Sequence, residues 1–119
     1  MTEPLVLGVG VEPGTPPAHL ADAVAALGEV TIAVVATIDR RLGEPSIDAV
    51  ADGRTLLAYT TEQLDAVVVP NPSAVVRRLT GTGSVAEAAA ILAARATGGA
   101  GVLVVEKQRG TGVTVALAR

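Results

Sequence analysis

Between Thr37 and Pro45 the chain reads TIDRRLGEP, which sets Asp39 and Glu44 beside Arg40 and Arg41. Carboxylates next to guanidiniums can pass a proton and hold the charge that develops as it moves. They can equally neutralise one another on a surface loop, and composition alone leaves both readings open. Position adds weight to the first. The segment follows the apolar run VTIAVVAT, and open α/β sheets gather their ligands in the loops at the carboxyl ends of strands. Asp39 and Glu44 are therefore the candidate catalytic carboxylates.

A second candidate is TGTGSVAEAAAILAA, Thr80 to Ala94. Ser84 and Glu87 match the S-x-x-E capping box, in which the serine oxygen accepts the N–H of residue 87 and the glutamate accepts the N–H of residue 84. That pairing explains both residues without a ligand. Gly81 and Gly83, however, leave the backbone open to approach, and a helix start with its dipole favours an anion. A cap and an anion site are compatible here.

Gly8, Gly10 and Gly14 invite comparison with the dinucleotide-binding fingerprint, with Asp39 where a ribose-binding acid would sit. The spacing is off, since the third glycine would have to fall at Pro13. A tight strand-to-loop turn accounts for the glycines equally well. No glycine precedes a lysine, so the phosphate-cradling nucleotide loop is absent.

Other chemistries are excluded by what the chain lacks. There is no cysteine, which removes disulfides, thiolate nucleophiles and sulfur-held metals and fits a reducing, cytoplasmic setting. His19 is the single histidine, which excludes HExxH-type zinc binding, and in the first turn of an amphipathic helix it reads as exposed and idle. No metal and no cofactor is expected. A net charge of −3 and one aromatic residue, Tyr59, argue against nucleic-acid binding. No apolar run approaches membrane length and no leader is apparent, so a soluble protein is expected. Lys and Arg begin only at Arg40, so any anion site must draw on the later part of the chain.

The elements that must position these residues read as one alternation. PLVLGVGV is a buried strand ending in a turn. Thr15 with Pro16 and Pro17 starts a helix whose apolar face carries Leu20, Val24 and Leu27 and which Gly28 closes. VTIAVVAT is the second strand. Ser46 is placed to cap a short helix through Ala51, TLLAY is a third strand, and Thr60 with Gln63 forms a capping box. Helices over about 73–79 and 84–96 follow, and GVLVVEKQRGTGVTVALA makes an antiparallel pair. The whole of 1–119 is expected to be one three-layer α/β/α domain with a mixed, mostly parallel sheet of about five strands.

Taken in order, GVG at Gly8–Gly10, TIDRRLGEP, VPNPS at Val69–Ser73, GTGSVAEAAA at Gly81–Ala90 and EKQRGTGVTVALA at Glu106–Ala118 resemble the CobE family and the homologous C-terminal domain of CbiG, proteins of cobalamin biosynthesis. The resemblance covers essentially the whole chain. It implies a ligand that is a polycarboxylate tetrapyrrole or precorrin intermediate. It also implies a ligand-facing set comprising Gly8, Gly10, Thr37, Asp39, Arg41, Glu44, Asn71, Ser73, Gly83, Ser84, Glu87 and Lys107.

Within that family pattern, Arg41 stands where lysine is usual. This keeps the charge but replaces a point donor with a planar fork, so a role for a deprotonated lysine is lost. The chain also has Val11, Glu12 and Pro13 where relatives often carry basic residues. A binding or carrier role is the reading preferred. The alternatives are a cobalt-precorrin-5A hydrolase, which opens a lactone with acetaldehyde release, and a detached subunit completed by CbiG-like segments or other corrin-pathway enzymes.

Overall fold

The computed structural model describes residues 4–70 and 82–119, and of 82–84 only the helical backbone. The strands are β1 (Leu5–Val11), β2 (Ile32–Ile38), β3 (Thr55–Tyr59), β4 (Leu103–Arg109) and β5 (Val113–Ala118). The helices are α1 (Pro17–Ala25), α2 (Pro45–Ala51), α3 (Thr61–Asp65) and α4 (Thr82–Ala96), and one 3-10 turn runs over Asp39–Arg41. Asn71 and Ser73, and the helix expected over about 73–79, lie outside the described residues.

The alternation in LVLGVGV decides the layers, because successive side chains of a strand point to opposite faces. Leu5, Leu7, Val9 and Val11 pack with Leu20 of α1 and Ile47 of α2. Val6 faces the other way, into a cluster with Val34, Ala36, Ile38, Leu64 and the alanines of α4. Each large aliphatic side chain buried this way contributes about 1.5–3 kcal/mol.

The sheet order is β3-β2-β1-β5-β4. β1 pairs parallel with β2 and β2 with β3, whereas β5 is antiparallel to both β1 and β4. Only β5 is therefore reversed, and the sheet is mixed and mostly parallel, as the sequence suggests. Right-handed crossovers place α1 and α2 on one face while the chain steps outward from β1 to β3. The return to β4 steps the opposite way, so the same handedness puts α4 on the other face. Strand order thus reverses at β1, and that is where an open α/β sheet leaves a crevice at its carboxyl edge.

Helix starts differ from the expected ones at three places. α1 begins at Pro17 with Pro16 as its N-cap, while the Thr15 hydroxyl turns back to the Glu12 carbonyl at 2.7 Å. α2 begins at Pro45 with Glu44 as N-cap, so Ser46 lies inside the helix, buried, and caps nothing. α4 begins at Thr82, ahead of Ser84. The Thr60–Gln63 capping box is present in both directions, with Gln63 N–H to Thr60 Oγ1 at 3.1 Å and Thr60 N–H to Gln63 Oε1 at 2.8 Å. Thr60→Ala is expected to cost about 1 kcal/mol, read as a lower urea midpoint. Among the described residues no helix is long and apolar enough to cross a membrane.

Candidate functional site

The TIDRRLGEP side chains turn toward the backbone of β1 and its exit loop. Thr37, fully buried, donates its hydroxyl to the Val9 carbonyl at 2.8 Å. Arg41 donates Nε–H to the Val11 carbonyl at 2.8 Å, and Glu44 Oε1 accepts the Gly14 N–H at 2.9 Å. The cause is local. β2 ends at Ile38 and folds into the 3-10 turn, so the carbonyls and N–H groups where β1 runs out lose their strand partner and need side chains instead. Bonds with an ionised partner serve well there, being shorter and stronger than neutral ones. From the other side, Glu12 N–H reaches the Gly112 carbonyl at 2.9 Å. Residues 11–15 are thus pinned between β2 and the β4–β5 hairpin. Asp39 opens the 3-10 turn and is exposed.

Gly8 faces α4. A Cβ there would overlap the Ala86 carbonyl oxygen and come within 2.8 Å of the Ala90 nitrogen. Its missing side chain is what lets helix and sheet approach. Gly10 lies two residues further along the same face and pairs with Thr114. Gly83 and Ser84 fall in the first turn of α4, whose amino end points to the carboxyl edge of the sheet.

Glu87 is fully buried. Its Oε2 accepts the backbone N–H of Lys107 at 3.0 Å. The register explains why that N–H is available: Val105 pairs with Leu117 and Gln108 with Val115, so Glu106 and Lys107 together oppose Ala116. This is a β-bulge, which frees a ladder donor, and Glu87 receives it. The carboxylate that the sequence pattern assigns to a helix cap instead joins α4 to β4.

Lys107 and Arg41 are not brought together: Arg41 bonds at the end of β1 through Val11, while Lys107 lies on β4 with β5 between, two strand spacings or about 10 Å away. Tyr59 ends β3, and burial pushes its phenol pKa up. Among the described residues no three His, Asp or Glu side chains converge to hold a metal ion.

A polar cleft of about 100 Å³ opens at the carboxyl edge, lined by Glu12, Arg109, Gly110, Gly112, Val113 and Thr114. None of these belongs to the set inferred from the sequence. Arg109 and Thr114 fall within EKQRGTGVTVALA, from which only Lys107 entered that set, and the pairing of Arg109 with Thr114 and of Thr114 with Gly10 is what singles them out.

Comparison with known proteins places this arrangement. The family model described as Cobalamin synthesis G C-terminus matches residues 5–118. The chain belongs to that family. Among similar proteins, Protein CobE of Sinorhizobium sp is 37% identical over 126 residues, covering 96% of this chain and 79% of the relative. The crystal structure of CobE, a protein from the cobalamin (vitamin B12) biosynthetic pathway, matches with a TM-score of 0.77 at 28% identity, over 100% of this chain and 92% of that one. The cobalamin biosynthesis protein chiG from Agrobacterium tumefaciens str. C58 matches with a TM-score of 0.62 at 27% identity, over 95% of each chain. The stretches on which the resemblance rests thereby take positions in the fold. TIDRRLGEP anchors the exit loop of β1, TGSVAEAAA opens α4, and EKQRGTGV forms the bulged end of β4 and its hairpin.

Proposed function

We infer that this member of the cobalamin synthesis G C-terminal family serves corrin-ring biosynthesis by binding a polycarboxylate tetrapyrrole intermediate at the carboxyl edge of its sheet, without converting it. The observation that carries this reading is how the signature residues are bonded. Arg41 holds Val11, Glu44 holds Gly14 and Glu87 holds Lys107. Each charged group is directed at a backbone atom, which makes a pre-formed rim and not a pair poised to exchange a proton. A rim fixed before the ligand arrives lowers the ordering cost of binding. Loops from β1, β2 and the β4–β5 hairpin all meet this edge.

The test is to mix the protein with corrin-pathway intermediates and follow both their absorbance and the release of acetaldehyde. A spectral shift with no acetaldehyde is expected. Acetaldehyde formed by this chain alone would overturn the binding role in favour of a lactone hydrolase with Asp39 as its available carboxylate. Failure of every intermediate to associate would overturn both.

A further inference from the structure

We propose that the cleft between the β1–α1 loop and the β4–β5 hairpin is a subsite for one carboxylate arm of the ligand, with Arg109 as the charged contact and Thr114 as the second donor. The inference rests on the polycarboxylate reading above and assigns it a pair of residues that lie within EKQRGTGVTVALA but outside the ligand-facing set expected from the sequence.

Three observations converge. Arg109, Thr114 and Gly10 form one row across β4, β5 and β1. Directly opposed residues share a face with their Cβ atoms about 5 Å apart, so the Arg109 and Thr114 side chains rise from neighbouring points of one face, next to a backbone without a side chain, and both residues line the cleft. Thr114 is only 4% exposed and lines the cleft, and no hydrogen bond engages its hydroxyl among the described residues. Among the described residues only Ser46 and Glu87 have a fully enclosed polar side-chain atom without a partner, so the Thr114 hydroxyl keeps access to the cleft, where an entering acceptor would take its hydrogen bond.

The second observation is charge. Glu12 lines the same cleft as Arg109, yet among the described residues no ion pair joins the two. The guanidinium is therefore open to a bidentate carboxylate. Arg41, by contrast, already uses its Nε on Val11.

Size decides which part of the ligand fits. A cleft of about 100 Å³ has room for about three waters, which suits an acetate or propionate arm and not a ring. It also sits beside β1, where the strand order reverses, the position general to ligand crevices in open α/β sheets. Glu12 at the lip bears the same sign as the arm and weakens its binding, which sets the cleft to accept a single carboxylate.

The probe is uroporphyrin I, a stable octacarboxylate porphyrin, titrated by fluorescence at low and moderate salt against the full chain. Arg109→Gln is expected to weaken binding about tenfold and to flatten its salt dependence. Thr114→Val should weaken it about threefold, and Glu12→Gln should tighten it about threefold. Arg95→Gln makes the same charge change at the far end of α4 and should leave affinity unaltered. Circular dichroism melts confirm that each variant is folded; for Thr114, substitution by Ser keeps the hydroxyl and should keep the affinity. Binding by wild type that Arg109→Gln leaves intact overturns the subsite alone. No binding of the porphyrin by wild type overturns the polycarboxylate reading on which the subsite stands.

Discussion

Gly8→Ala is expected to lower the stability of the domain by at least about 3 kcal/mol, or to yield no folded protein. The added methyl would meet the Ala86 carbonyl oxygen, the Ala90 nitrogen at 2.8 Å and the Ala86 carbonyl carbon at 2.9 Å. All three are backbone atoms of a helix, so no side chain can rotate away, and relief requires α4 to lift off the sheet. That helix lies close because Ala86, Ala88, Ala89, Ala90 and Ala93 are all fully buried. Lifting it strips contacts along its length. Against a total of about 5–15 kcal/mol for a domain of this size, the loss is a large share. Urea denaturation followed by circular dichroism measures it. A glycine retained for ligand approach would behave differently, losing affinity while the midpoint stayed within about 1 kcal/mol of wild type, and that result would contradict the packing role.

How far the sequence reached depends on the range of each contact. The β1–α1–β2 unit, the β4–β5 hairpin and the Thr60 box were legible because their signals are local: alternating apolar residues, a proline at a helix start, a threonine three residues before a glutamine. The TIDRRLGEP segment was legible as important but not in its role. Arg41 and Glu44 bond to Val11 and Gly14, each 30 residues away, and nothing in the segment itself names those partners. Ser46 was misplaced because Pro45 and Glu44 take the helix start while the glutamate reaches elsewhere. Arg109 was invisible as a site residue for a related reason. Its neighbours Thr114 and Gly10 come from strands joined by register, and the bulge that sets this register at β4 leaves no mark in a run such as LVVEKQR.

Glu87 shows what that bulge demands, and Glu87→Ala is expected to cost about 3 kcal/mol. Two effects combine: the Lys107 N–H, 3.0 Å from Oε2 in the native fold, loses its acceptor, and a fully buried side chain leaves a void between α4 and β4. Glu87→Gln separates the two. The amide fills nearly the same space and still presents an oxygen, so the loss should be nearer about 1 kcal/mol. Native-state hydrogen exchange at the Lys107 amide provides the local readout. Protection should fall in the alanine variant by more than the global stability change accounts for, and it should persist in the glutamine variant. If Glu87 were only a helix cap, the Lys107 amide would follow global unfolding in every variant, and the first turn of α4 would fray instead. The two outcomes are distinct because a cap acts within its own helix, whereas a bulge acceptor ties the helix to an edge strand that has a neighbour on one side only.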